Sequence, residues 1–296
     1  IGGGGGFQSL NGSIRLHGKH FLHELDHHTH TANLQIAPHV RVTWWTPWPD
    51  VKTDLAGLRR EFCRTLLHGA SLWWFDMWGG YYESGRLVEE IGTFQKIHDR
   101  LADVRREPEA QIAVIVDPES ALYVDDEAPE TIAEEMMPLL LRACNRCGAP
   151  YRVFSFRDIP HIEQLDAYRL VLLPGLFELS EEKEKILRKW ILKGDRTVVW
   201  LYGAALFDGR RKTPSRMREL TGFRQEESGA PERKMENWTS VFLPDSRSLT
   251  PEKLRSLAEK AGVHFYTDLL CPVWASRDLL MIHTAESGRQ TIRLRR

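Results

Sequence analysis

Between residues 20 and 101, short apolar runs alternate with amphipathic stretches, and this alternation constrains the fold more than any other feature of the chain. His20 to Glu24 has strand character after a glycine-rich lead-in. Leu55, Leu58, Phe62 and Leu66 recur at helical spacing, and Gly69 is placed to stop that helix. Ser71 to Met77 reads as a buried strand ended by Gly79-Gly80, and Leu87, Ile91, Phe94, Ile97 and Leu101 line one side of a second helix. Strand, helix, strand, helix is the repeating unit of a parallel sheet or barrel. Two units do not close a barrel, so residues 1–107 are expected to be the C-terminal part of a (β/α)8 barrel that begins upstream.

A second α/β segment, residues 108–225, opens with the apolar run Ile112 to Val116. A long helix is expected from about Pro129 to Cys147, then strands near Tyr151–Phe156 and Leu170–Leu173. Ser180 precedes Glu181 and Glu182, and Lys193-Gly194 ends the helix begun there, as a helix dipole favours. Thr197 to Tyr202 is a further buried strand, so the pattern is a doubly wound, flavodoxin-like layer. Residues 226–296 read as a small β-rich segment with one capped helix, Thr250-Pro251-Glu252 to Gly262, and strands at Leu279–His283 and Thr291–Leu294.

The 296 residues suffice for two or three domains with cores of their own. Lys and Arg total 40 against 41 Asp and Glu, which lacks the basic excess of a nucleic-acid binder. No run approaches the ~18–20 apolar residues of a membrane span. Neither nucleic acid nor a membrane is therefore an expected partner. Ile1 and its five glycines form no signal peptide, and the sequence stops inside the strand-like Thr291–Leu294 run, so the chain is expected to be cut at both ends. Cys144 and Cys147 make a lone CxxC in a helical pattern with no second pair for zinc, which favours a structural role and a reducing compartment such as the cytoplasm.

Chemistry concentrates in two places. The first is His20-Phe21-Leu22-His23-Glu24-Leu25-Asp26-His27-His28-Thr29-His30. A strand ending at Glu24 would carry that carboxylate to the C-terminal mouth of a barrel, where catalytic groups sit. A retaining glycosidase needs such a nucleophile and a second carboxylate about 5 Å away as acid/base. The same stretch has a metallic reading, because Asp26, His28 and His30 have the spacing of a hydrolase metal site. The second place is Trp73-Trp74-Phe75-Asp76-Met77-Trp78, where alternation sets Trp74, Asp76 and Trp78 on one face. Aromatic rings flanking a carboxylate stack a sugar and accept its hydroxyls, though a packed barrel layer has the same pattern. Trp44, Trp45 and Trp48 fall in the loop between the two places and would close over such a site.

The order Gly18-Lys19-His20-Phe21-Leu22-His23-Glu24, then Arg60-Glu61-Phe62, Gly69-Ala70 and the Trp-rich strand, resembles the last two barrel strands of glycoside hydrolase family 42. Gln111 to about Phe223 is similar to the trimerisation domain of those β-galactosidases. Ala261-Gly262-Val263-His264-Phe265-Tyr266 and Ile282-His283-Thr284 resemble their small C-terminal β domain. The resemblance implies a retaining β-glycosidase acting on a carbohydrate, assembled as a homotrimer and needing no cofactor or metal. It assigns Glu24 as nucleophile and Trp78 to the lining of the sugar site, and Asp26, His28, Trp45, Trp74 and Asp76 are the further sugar contacts expected from their positions.

Two departures matter. Some relatives are expected to carry Arg in a Glu-x-Asp-x-Arg-Thr pattern where this sequence has His28, and the family's acid/base Glu lies on a strand this sequence lacks. The flavodoxin-like pattern is shared with glutamine amidotransferases, but the turns Leu173-Pro174-Gly175 and Leu201-Tyr202-Gly203-Ala204 hold no nucleophilic Cys. A metal-dependent hydrolase using Asp26, His28 and His30, and a non-catalytic sugar-binding or oligomerisation protein, stay open as alternatives.

Overall fold

A computed structural model describes residues 9–32, 47–76, 79–104, 107–124, 136–229, 231–285 and 287–295. The chain starts with a one-and-a-half-turn helix, α1 (Asn11–Leu16), followed by β1 (Leu22–Leu25), α2 (Val51–Leu67), β2 (Ser71–Trp74) and α3 (Gly85–Arg100). β1 and β2 pair in parallel, with Leu22 opposite Ser71 and Leu25 opposite Trp74, so the expected βαβα unit is present. Asp50 caps α2 by accepting from the Thr53 amide at 2.8 Å, and Gly69, at φ +62, provides the left-handed residue that ends it. Leu55, Leu58, Phe62 and Leu66 of α2 pack with Leu25 and with Leu87 and Phe94 of α3, and the Phe62 and Phe94 rings stack at 4.5 Å. Each such buried side chain contributes roughly 1.5–3 kcal/mol.

A six-stranded sheet forms the rest of the core. Its elements are β3 (Ile112–Val116), α4 (Met137–Arg146), β4 (Tyr151–Ser155), β5 (Leu170–Glu178), α5 (Glu181–Trp190), β6 (Thr197–Phe207), α6 (Pro214–Thr221), β7 (Glu232–Lys234), β8 (Thr239–Leu243) and α7 (Pro251–Lys260). The order is β4-β3-β5-β6-β8-β7, parallel except for the antiparallel β7–β8 pair. The first five strands follow the doubly wound flavodoxin-like order 2-1-3-4-5. β3, β5 and β6 are buried on both faces, as near-continuous apolar runs in a parallel sheet require. One core layer gathers Ile115, Leu173, Trp200 and Phe242 with Leu187 of α5 and Met217 of α6; the other gathers Val114, Leu172 and Val199 with Leu140 of α4 and Leu254 of α7.

This sheet extends past residue 225. β8 is its fifth parallel strand and α7 covers it, so much of the stretch expected as a small β-rich segment completes the middle sheet. The physical reason is that Val241 and Leu243 face one core layer and Phe242 the other, a two-sided burial that only a covered sheet provides. Beyond α7 lies a short antiparallel hairpin, β9 (Val273–Ala275) and β10 (Leu280–Ile282), with a core of Tyr266, Cys271, Val273 and Ala275. Thr291–Leu294, expected as a strand, has none. The helix expected from Pro129 is described only from Met136 onward.

Both edges of the large sheet are occupied. On the β4 side α1 lies against the strand, where the Ser155 amide donates to Ser13 Oγ at 2.7 Å. Gly12 makes that approach possible, since a Cβ there would stand 2.4 Å from the Val153 carbonyl oxygen. On the other side β7 is short, exposed and wholly charged. Among the described residues, no helix is long and apolar enough to cross a membrane.

Candidate active site

In a parallel pair, residues in register point to the same face. His23 and Leu25, with Leu72 and Trp74, face the helices, and Leu25 is 1% exposed beneath α2 and α3. Leu22, Glu24, Ser71 and Trp73 face the other way, toward what is the interior in a (β/α)8 arrangement. Glu24 is half-buried and accepts no hydrogen bond from a described residue. Its register partner Trp73 is 37% exposed and meets Phe75 edge-on at 5.0 Å between ring centres. Glu24, Trp73 and Phe75 therefore form one aromatic–carboxylate face.

Trp74 stands on the opposite face, packed on Phe94 and edge-on to Tyr82. The structure thus does not bring Trp74 to Glu24. Trp45 and Trp78, and the Trp44 beside Trp45 in sequence, lie outside the described residues.

The loop after β1 is fastened on two sides. The His30 amide donates to Asp54 of α2 at 3.1 and 3.3 Å, and the His30 ring pairs with the same carboxylate. Burial raises the Asp54 pKa and its bonds to His30 partly offset this. On the other side the Thr29 and Thr31 hydroxyls donate to the Tyr81 carbonyl, Thr31 at 3.2 Å. His28 meets the Tyr81 ring edge-on at 4.7 Å, and its carbonyl accepts from the Trp48 amide at 2.9 Å. Asp26 and Asp76 are exposed at the same end of the pair. Burial first, and then Asp76 and Asp26, push the Tyr81 hydroxyl up to about 12 and raise Tyr82 as well. Asp26, His28 and Asp76 are therefore gathered around Tyr81 and Tyr82 at the carboxyl ends of β1 and β2.

A buried ionic group beneath β1 stands outside the site residues expected from the sequence. Glu61 is fully buried, its carboxylate 3.3 Å from His23 Nε2, 3.7 Å from His27 Nε2 and 2.7 Å from Arg60 Nε, with Arg64 also paired to it. Burial raises its pKa, but Arg64, His23, His27 and Arg60 together hold the carboxyl well below the usual range. The signal was in the sequence: Glu61 falls three residues after Leu58, inside the apolar stripe of α2. His27 links this buried group to the loop, where its ring lies 4.9 Å from that of Trp48.

The metallic reading needs Asp26, His28 and His30 to converge. His30 turns to Asp54 and His28 to Tyr81, and among the described residues no three His, Cys, Asp or Glu side chains are gathered to hold an ion.

A parallel strand pair followed by a doubly wound sheet is an arrangement found in solved structures. The fold is shared with β-galactosidases. The β-galactosidase from Bacillus circulans sp. alkalophilus superimposes with a TM-score of 0.63 at 14% identity, over 90% of this chain and 50% of that one. The cold-adapted β-galactosidase from Rahnella sp. R3 gives 0.60 at 14% identity, over 89% of this chain and 49% of that one. A family 42 β-galactosidase from G. stearothermophilus gives 0.55 at 13% identity, over 74% and 41%. The chain thus spans about half the length of the β-galactosidase structures it matches. No family model and no curated protein matches the sequence.

Proposed function

We propose that this chain is the nucleophile-bearing part of a retaining β-glycosidase of the β-galactosidase type. The observation that carries the reading is Glu24: a carboxylate with no described hydrogen-bond partner, beside Trp73, near the carboxyl end of a parallel strand. In this reading a terminal β-linked sugar lies with its C–H face on Trp73 and Phe75. Asp26 and Asp76 accept its hydroxyls, and His28 lines the wall between them. Glu24 attacks the anomeric carbon as the bond to the leaving oxygen breaks. An acid carboxyl from a segment outside this chain gives the leaving oxygen its proton, then takes one from water as that water releases the sugar.

The role expected of Trp74 passes to Trp73, which shares the Glu24 face. His23 is committed to Glu61 and turned away, so it takes no part in the chemistry. Glu61 and Asp54 act from α2 by holding the loop after Glu24. The six-stranded sheet is the proposed assembly unit of a homotrimer, which light scattering at the protein's natural length would test.

The decisive experiment assays the protein at its natural length on aryl β-glycosides, comparing wild type with Glu24→Ala, with and without azide. The reading expects a loss of about 10³-fold or more in turnover. Azide should restore it, giving a glycosyl azide of inverted configuration. Full activity in Glu24→Ala removes the assignment; sugar binding without any turnover in wild type favours a non-catalytic sugar-binding protein.

A further inference from the structure

A cavity of about 580 Å³ lies where α1, α2 and α4 meet β4, away from the Glu24 face. That size is within the roughly 300–1,000 Å³ of small-molecule sites, which often form where two structural units meet. Leu10, Leu141, Val153 and Trp274 supply apolar walls. The polar lining carries Asn11, Arg64, His68 and Arg152, with Ser9 and Tyr151, whose hydroxyl donates to Asn145 at 2.9 Å. The Asn11 side-chain amide is buried and donates to no partner among the described residues. Arg15 adds a further cation behind the wall, donating to the His68 carbonyl at 3.2 Å. Burial, then Arg64, Arg152 and Arg15, push the His68 imidazole down to about 3, so it is neutral and leaves the positive charge to the guanidinium groups. The Glu61 carboxylate is shared between Arg60 and Arg64 and balances only part of that charge.

A site with donors and positive charge against apolar walls excludes cations. We propose that this cavity binds a small amphipathic carboxylate, an aromatic or aliphatic acid. Its carboxylate meets Arg152, Arg64 and the Asn11 amide, and its apolar body lies against Leu141, Val153 and Trp274. Charge-assisted bonds to guanidinium fix the head, and burial of the body supplies the rest of the affinity. The site is independent of the glycosidase reading, although Arg64 also reaches the Glu61–His23 pair beneath β1.

The test uses the protein at its natural length and titrates indole-3-acetate and 4-phenylbutyrate by calorimetry, with their neutral amides as controls. The acids are expected to bind with dissociation constants of about 1 mM or tighter, and the amides about tenfold more weakly. Leu141→Trp fills the cavity and should abolish binding of both. Arg152→Gln should weaken the acids about tenfold and leave the amides unchanged, which keeps the test intact if the larger substitution does not fold. Equal binding of acids and amides, binding that survives Leu141→Trp, or no binding of any probe at about 10 mM overturns the proposal.

Discussion

Glu61 and His68 sit about two helical turns apart, on α2 and just beyond its end; burial works against charge on both, yet the neighbouring cations leave them in opposite charge states. The carboxylate is surrounded by cations and stays charged; the imidazole is surrounded by cations and stays neutral. Glu61→Gln keeps the shape but leaves Arg64 buried without that counter-charge. It is expected to cost about 3–5 kcal/mol in urea denaturation, as removal of one partner from a buried pair does. Because the folded pKa of Glu61 lies below its unfolded value of 4.5, its contribution is complete above that pH and is lost as pH falls through the folded value. His68 works in a higher window. Its folded pKa of about 3 lies below its ordinary 6.5, so the unfolded chain takes up the proton first as pH falls. Stability should therefore decline from pH 6.5 downward by at most about 1.4 kcal/mol per pH unit from this one group. The His68→Gln variant should show a flatter melting-temperature profile between about pH 6.5 and 5. The flattening is partial, because burial also lowers His283, to about 4.

Elements were legible in the sequence where their periodicity was strong, and ambiguous where both faces of a strand are apolar. The α2 and α3 stripes and the caps at Ser180 and Thr250 follow from spacing and side-chain type alone, and each cap is made. Ser71-Leu72-Trp73-Trp74-Phe75 offers no such contrast: large rings occupy both faces, and only pairing with β1 reveals that Trp73, not Trp74, shares the side of Glu24. The sheet that takes up β8 was not legible either, because a partner far away in sequence decides it. Gly57 of α2 exposes a related conflict between local and tertiary preference. Helix propensity favours Ala over Gly by about 1 kcal/mol. Yet a Cβ at Gly57 would lie 2.1 Å from the Trp48 ring, which has nowhere to go without leaving His27. Overpacking of this kind costs about 1–3 kcal/mol, so Gly57→Ala is expected to lower the melting temperature. It should also alter the near-ultraviolet circular dichroism of tryptophan. A stabilised variant would mean that the indole is not seated as described.

At the scale of the whole molecule, the two sheets differ in self-sufficiency. β1 and β2 make a two-stranded parallel sheet among the described residues, and two strands do not hold together without further cover. The β3–β8 sheet is covered on both faces. Residues 107–295 expressed alone are therefore expected to keep a folded sheet that melts cooperatively in dilute solution, below the concentration at which their bare β4 edges associate, whereas residues 9–104 alone should lack dispersed amide resonances. The short helix α1 has a consequence beyond the packing it contributes. It occupies the outer edge of β4, and three consecutive charges on β7 guard the far edge. An uncovered strand offers unpaired amides and carbonyls to any other strand it meets. A chain trimmed to begin after Leu16 should keep its sheet and lose its solubility, associating edge to edge through β4. Six residues thus serve as the molecule's safeguard against its own copies at high concentration.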